Sequence, residues 1–82
     1  MSKVTKQNKN VFKNIGLRIR YLRKIKGVSQ ADLASLCNFE NSNMYRIEAG
    51  KTNPTILTLY KVCIALDISL KELFDFELET LT

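Results

Sequence analysis

The stretch SQADLASLCNFENSNMYRIEAG, residues 29–50, decides the fold of this chain. It begins with Ser29 and Asp32 in the spacing of a capping box, in which the hydroxyl and the carboxylate each satisfy an amide group at a helix start. The apolar residues that follow lie one and four positions apart and share one helical face: Leu33, Ala34 and Cys37. A helix is therefore predicted from this cap to about Cys37.

A tight turn is predicted next, at Asn38, because asparagine tolerates the left-handed backbone better than other non-glycine residues. A second short helix is predicted from about Asn41 to Ala49, where Gly50 supplies a left-handed stop. Its inward face holds two apolar residues, Met44 and Ile47. Its outer face is polar and consists of Asn41, Ser42, Tyr45 and Arg46. Two short helices joined in this way indicate a helix-turn-helix.

One longer helix is predicted before this motif. Its apolar residues recur at spacings of three and four: Phe12, Ile15, Ile19, Leu22 and Ile25. The helix is expected to end at Gly27, which can adopt the left-handed conformation. Order is expected to begin near Val11, because residues 1–10 form a basic arm without periodicity that we expect to be flexible.

Two further helices are predicted after the motif. Asn53 and Pro54 indicate a helix start, with Asn as the cap and Pro at the first helical position. The apolar stripe of this fourth helix is Ile56, Leu59, Val62, Cys63 and Leu66. A capping box at Ser69 and Glu72 opens a short fifth helix, whose Leu73 and Phe74 can close the core. The fold class is therefore all-α, a compact five-helix domain over residues 11–74.

Residues 75–82 form an acidic tail whose secondary structure the sequence leaves open. Apolar and acidic residues alternate over residues 74–79 with the period of a strand, whereas Phe74, Leu78 and Leu81 also align on a helix. In both cases the tail is more apolar than a solvated segment needs to be, so we expect it to pack on the body or on a second copy of the chain. It is a possible dimerisation element.

Charge is distributed unevenly along the 82 residues, whose net charge is +5. Residues 1–27 hold nine Lys or Arg and no acid, whereas residues 67–82 hold one Lys and five acids. A basic front and an acidic tail suggest one surface that faces a polyanion, with the tail turned away from it. The sequence contains neither an apolar run of roughly 18 residues nor a signal peptide, so we expect a cytoplasmic protein that does not contact membranes.

The sequence argues against an enzyme. It contains no His, no clustered pair of carboxylates on an ordered element and no phosphate-cradling glycine loop. The absence of His also removes the usual zinc-finger arrangements, and Cys37 and Cys63 have no partner in a CxxC pair, so both are expected to be reduced core residues. We expect no cofactor, no metal and no small-molecule ligand.

Several separated blocks of the sequence together resemble the phage repressor and Cro type family, also called Xre. They are RIR at residues 18–20 with Arg23, GVSQADLA at 27–34, MYRIEAGK at 44–51 and NPT at 53–55. The resemblance covers about residues 14–74, and the blocks agree in order and spacing. Three residues depart from the family pattern: Asn38 stands in place of the usual turn glycine, and Leu17 and Leu36 are apolar where surface residues are common.

The resemblance implies a repressor-like domain in which the second and third helices form the helix-turn-helix of a transcriptional regulator. In length and layout the chain is similar to the controller proteins of restriction-modification systems. Such a protein would be nearly all DNA-reading domain, with its occupancy set by concentration and dimerisation.

The helix over residues 41–49, called the reader helix below, is expected to enter the major groove of double-stranded DNA, which is wide enough for one helix. Arg46 is predicted to hold guanine through its O6 and N7 atoms, Asn41 to pair with adenine and Ser42 to contact a base. Tyr45 has three open interpretations: a contact with a thymine methyl group, a bond to phosphate, or an exposed ring without a role.

The resemblance assigns Gln30 to the phosphate backbone and the first bases of a half-site. Phosphate anchors are expected near the starts of the second and fourth helices, where amide groups offer donors to an anion, and on the basic first helix: Ser29, Lys51, Thr52, Asn53 and Arg20. The resemblance also places Arg23 and Glu48 as a partly buried ion pair that joins the first helix to the end of the reader helix.

One reader helix specifies few base pairs, so a homodimer is expected on a palindromic site with half-sites about 34 Å apart. The fifth helix and the acidic tail are the favoured interface. The alternative function is a protein-interaction module, such as an antitoxin or a co-regulator, whose main partner is another protein. The apolar residues Leu17 and Leu36 and the tail leave that alternative open.

Overall fold

The structure, a computed structural model, describes residues 2–77, with side chains from residue 11 onward. Five α-helices follow one another along this part of the chain: α1 Ser2–Ile25, α2 Gln30–Cys37, α3 Asn41–Glu48, α4 Ile56–Leu66 and α5 Leu70–Leu73. Residues 2–77 contain no strand. The all-α, five-helix prediction is therefore confirmed, with α2 and α3 as the helix-turn-helix.

The local signals around α2 and α3 form as the sequence predicts. The Ser29 hydroxyl accepts a bond of 3.0 Å from the Asp32 amide and caps α2. Asn38 has the left-handed backbone of a turn, with φ of 59°. Gly27 and Gly50, each with φ of 71°, also have left-handed backbone, and each ends the helix before it. At Ser69 both halves of the capping box are present.

The core lies where all five helices meet. Its buried members are Ile15, Ile19 and Leu22 of α1; Leu33, Ala34 and Cys37 of α2; Met44 and Ile47 of α3; Leu59, Val62, Cys63 and Leu66 of α4; and Leu73 of α5. Both cysteines are free, and burial raises the pKa of each thiol. Arg18 ties α1 to α5, because its guanidinium donates two bonds, of 2.9 and 3.1 Å, to the carbonyl oxygen of Glu72.

Three apolar residues that the sequence analysis placed on an apolar stripe or in the core are exposed. Ile25 and Ile56 are 60% and 64% exposed, and Phe74 is 40% exposed. Ile25 and Ile56 lie at helix ends, and Phe74 follows the last residue of α5. Each therefore lies at or just beyond a helix end and stays exposed, so the prediction that it joins the apolar core was wrong.

Two predicted helix starts also differ from the structure. α4 begins at Ile56, because Thr55 has extended backbone and its hydroxyl accepts from the Thr58 amide at 3.1 Å; the predicted start at Asn53 and Pro54 was wrong. α1 begins at Ser2 rather than near Val11. Its first residues lack an apolar stripe, which is why periodicity did not extend the helix to them. The division of the chain into an arm, a domain and a tail stays a prediction.

The acidic tail is described only in part. Residues 75–77 are neither helix nor strand, and Phe76 packs partly buried against the core. Residues 78–82, on which the strand and helix alternatives depend, lie outside the described residues. No helix in the described chain has the length and apolar character needed to cross a membrane.

The backbones of α1 and α3 approach so closely that glycine is required at two positions. A Cβ atom on Gly16 would lie 2.6 Å from the carbonyl oxygen of Ile47 and would also overlap that of Glu48. A Cβ atom on Gly50 would lie 2.6 Å from the Cα atom of Lys13. The reader helix thus lies directly against the backbone of α1, and no sequence pattern indicated this role for Gly16.

Substituting Gly16 with Ala tests this contact. Helix propensity alone predicts that Gly16→Ala stabilises the protein by about 1 kcal/mol. The overlap with α3 backbone instead predicts a loss of about 1–3 kcal/mol in the free energy of unfolding, because the obstructing atoms are main-chain carbonyls. Urea denaturation measures the difference, with Ser35→Ala on the exposed face of α2 as a near-neutral control. A stabilised Gly16→Ala variant would contradict the contact.

Candidate nucleic-acid interface

The outer face of the reader helix, α3, is exposed along its whole length. Asn41, Ser42, Tyr45 and Arg46 all lie in solvent, whereas Met44 and Ile47 are 0% and 3% exposed on the opposite side. Two buried apolar residues therefore hold the helix, and these four exposed residues are presented outward as a set.

Arg23 and Glu48 form a bidentate ion pair between α1 and the end of α3. The Arg23 Nε and Nη2 atoms donate to the two carboxylate oxygens of Glu48 at 2.8 and 3.0 Å. A third guanidinium nitrogen donates to the carbonyl oxygen of Val28 at 3.0 Å. The two side chains are 10% and 4% exposed, so solvent screens the pair little. These are the residues that the family resemblance pairs.

Gln30 is the third member of this network. Its Nε2 atom donates to Oε1 of Glu48 at 3.1 Å, and its side chain is half-buried. A carboxylate only accepts hydrogen bonds, so Glu48 fixes which end of the Gln30 amide faces inward. The amide oxygen and the second N–H remain for an outside partner. Sequence reasoning missed this bond, because no local pattern links residues 30 and 48.

A cleft of about 400 Å³ lies beside the network. It brings together side chains from α1, α2 and α3, including three residues predicted to touch DNA: Arg20, Arg23, Gln30, Tyr45, Glu48 and Ala49. The charges of Arg23 and Glu48 compensate each other, so Arg20 leaves the cleft with a net positive charge. The cleft suits an anionic group at its mouth.

The connection between α3 and α4 carries the remaining predicted anchors. Lys51 and Asn53 are exposed, Thr52 is half-buried, and the Lys51 ammonium lies 5.7 Å from the centre of the Tyr45 ring. Because α4 begins only at Ile56, Thr52 and Asn53 lie in the connecting loop and not at a helix start. The sequence predicted that these residues bind phosphate through free amides at the start of the fourth helix. That reason therefore does not apply to Thr52 and Asn53.

A second exposed surface, which the sequence analysis did not predict, is apolar. Leu57, Tyr60 and Ile64 recur at spacings of three and four on α4 and are 62%, 49% and 62% exposed; we call them the α4 face. Leu36 of α2, also exposed, lies across a groove of about 530 Å³ from Ile64. Among the side chains that the structure describes, no group of His, Cys, Asp or Glu could hold a metal ion.

Comparison with known proteins agrees with this geometry. Residues 18–79 match the Cro/C1-type HTH (helix-turn-helix) DNA-binding domain family. SinR, an HTH-type transcriptional regulator of Bacillus subtilis, is 42% identical over 67 residues, covering 80% of this chain and 60% of SinR. The uncharacterized HTH-type transcriptional regulator y4dJ of Sinorhizobium fredii is 34% identical over 61 residues, covering 74% of this chain and 79% of y4dJ. The chain thus spans less than two thirds of the length of SinR.

Solved structures give the same result. The restriction-modification controller protein C.AhdI of Aeromonas hydrophila is similar with a TM-score of 0.74 and 38% identity, over 77% of this chain and 96% of C.AhdI. The resemblance to Cro-type regulators is confirmed.

The Glu48 network predicts that removing its acid is costly. Glu48→Ala leaves Arg23 buried without its partner, which typically costs about 3–5 kcal/mol, and loosens the end of α3. We expect a large drop in the urea midpoint and loss of DNA binding. Glu40→Ala is the matched control, since Glu40 is exposed and makes no side-chain cap bond. A Glu48→Ala variant that melts like the wild type and still binds DNA would disprove the assignment.

Proposed function

The chain belongs to the Cro/C1-type helix-turn-helix family of DNA-binding transcriptional regulators, and from that premise we propose that it binds a palindromic operator as a homodimer, with α3 in the major groove. The observation that carries the proposal is the exposed polar face of α3, held from behind by a buried ion pair. The excess of basic residues before α2 supports a polyanionic partner.

Base recognition is assigned to the exposed side chains of α3 and to Gln30. Arg46 contacts guanine O6 and N7 through two hydrogen bonds, Asn41 pairs with adenine and Ser42 contacts a neighbouring base. Gln30 contacts the first bases of the half-site. Its amide is already oriented by Glu48, so less side-chain entropy is lost when it binds.

Phosphate contacts set the register of α3 in the groove. Arg20 and Tyr45 lie on the cleft beside the Glu48 network and Ser29 caps α2, so these three bind one stretch of backbone. Lys51, Thr52 and Asn53 bind a second stretch from the loop after α3. The proximity of Lys51 to the Tyr45 ring joins the two groups.

The α4 face is a further interface that we propose for the homodimer, beside α5 and the acidic tail. The Leu73 side chain of α5 is fully buried in the protomer's own core, so α5 would contact a partner through its exposed neighbours, such as Phe74. Leu57, Tyr60 and Ile64 are instead largely exposed, and an apolar set of this kind on a small domain marks a contact surface. In such a homodimer we expect the two copies of α3 to lie about one helical turn of DNA apart.

Selection of bound sequences from a random DNA pool tests the function as a whole. A palindrome with half-sites about one helical turn apart is the expected result. A salt titration on the selected duplex separates DNA binding from the alternative of a protein-interaction module, because binding through phosphate contacts weakens steeply as salt rises. Failure to enrich any sequence would contradict the proposal.

The guanine contact is tested by Arg46→Ala in the same selection. We expect loss of preference at one symmetric position, at a discrimination cost of about 1–3 kcal/mol, with the other positions unchanged. Arg20→Ala is the matched control, since removing a phosphate anchor weakens binding uniformly and reduces the salt slope by about 1 for each protomer. Uniform weakening by Arg46→Ala would make Arg46 a phosphate contact.

The dimer interface is tested by Ile64→Glu. Placing a charge on the α4 face should give a monomer at micromolar concentration in sedimentation and a large loss of operator affinity. Ile25→Glu is the matched control, because Ile25 has nearly the same exposure, 60% against 62%, but lies at the end of α1. A dimeric Ile64→Glu variant, or a monomeric wild type that binds a single half-site tightly, would rule the interface out.

A further inference from the structure

The side chain of Lys51, just after the end of the reader helix, lies against an aromatic ring. Its ammonium is 5.7 Å from the centre of the Tyr45 ring, within the range in which a cation is attracted to an aromatic face. Tyr45 is 53% exposed and Lys51 is exposed as well, so both partners can be reached from solvent. The pair is therefore a surface feature and not part of the core.

The backbone of Lys51 is fixed relative to α3. Its amide donates to the carbonyl oxygen of Arg46 at 2.9 Å. Gly50, the residue before it, has left-handed backbone and lies against the α1 backbone at Lys13. The position of the Lys51 ammonium therefore depends only on its flexible four-carbon side chain.

The Tyr45 ring is the group that restricts this side chain. Among the side chains of residues 11–77 the only ion pair joins Arg23 to Glu48, so no carboxylate there holds the Lys51 ammonium. A lysine side chain that rotates freely loses entropy when it binds a phosphate. A lysine that a ring already holds loses less entropy, and its binding is correspondingly tighter.

We propose that Tyr45 is a positioning residue, whose ring holds the Lys51 ammonium where it meets a DNA phosphate. This inference rests on the proposed function, in which Lys51 is a phosphate anchor. The same ring lines the cleft with Arg20, so it lies at the boundary between the two groups of anchors. A bond from the Tyr45 hydroxyl to phosphate is separate from this role. The ring adds affinity but no base preference, because phosphate contacts carry no sequence information.

A double-mutant cycle on the selected palindrome tests the proposal. Lys51→Met removes the ammonium and should weaken binding more in the wild type than in a Tyr45→Leu background, by about two- to fivefold for each protomer, which is the strength of an exposed cation–π contact. The Tyr45→Phe background keeps the ring and should show the full loss. An equal loss in all three backgrounds would overturn the proposal. A reduced loss in the Tyr45→Phe background would overturn it too, since the hydroxyl would then be the coupled group.

Tyr21→Leu is the matched control. Tyr21 is 57% exposed, close to the 53% of Tyr45, and the guanidinium of Arg18 lies 5.5 Å from the centre of its ring, but it belongs to α1. Lys51→Met should cost the same in this background as in the wild type. An equal reduction in the Tyr21→Leu background would overturn the proposal, because the coupling would not be specific to Tyr45.

The contact between the ring and Lys51 is also measurable by NMR in the free protein. An aromatic ring shifts the resonances of protons over its face upfield, so the methylene protons next to the Lys51 ammonium should be shifted in the wild type and in Tyr45→Phe. In Tyr45→Leu they should return to the position of an unstructured lysine. Unshifted resonances in the wild type would overturn the inference, whereas a wild type with shifted resonances that selects no DNA sequence contradicts the proposed function.

Discussion

The Glu48 carboxylate receives hydrogen bonds from Arg23 and Gln30, so one acidic group at the end of the reader helix is bonded to α1 and to the start of α2. The orientation of α3 relative to the other two helices depends on this group. The end of α3 has little freedom to move, because Gly16 brings the α1 backbone against the carbonyls of Ile47 and Glu48. The ion pair holds the side chain of Glu48, and the close approach restricts the backbone of Ile47 and Glu48.

This arrangement also determines which basic side chains are free to contact an anion outside the protein. Arg23 is fully engaged by Glu48 and the Val28 carbonyl, so it serves the fold. Arg18 is engaged in a similar way by the Glu72 carbonyl. Arg20, Arg46, Lys13 and Lys51 are exposed. Arg20 lines the cleft, and Arg46 lies on the outer face of α3. The net charge of the chain therefore says less about the surface that can bind an anion than the list of basic residues that are bonded within the protein.

Signals that act within a few residues could be predicted from the sequence. Asn38 and Gly50 have the left-handed backbone expected of them, and Ser69 forms its capping box, because each depends only on its near neighbours. Periodicity also found the buried face of each helix but not how far the neighbours cover it, which is why Ile25 and Ile56 were misplaced. Gly16 and the bond from Gln30 to Glu48 could not be predicted, because they depend on how α1, α2 and α3 pack together.

The two faces of α3 divide all its residues except the half-buried Asn43 between separate tasks. Met44, Ile47 and Glu48 are buried and fix the helix, while the exposed residues, Asn41, Ser42, Tyr45 and Arg46, contribute nothing to the core. Under the proposed function, the residues of α3 that choose the operator are not those that stabilise the domain. A lineage can therefore change its target sequence one exposed side chain at a time without losing the fold, and duplicated copies of such a chain can diverge in DNA specificity while they share one scaffold.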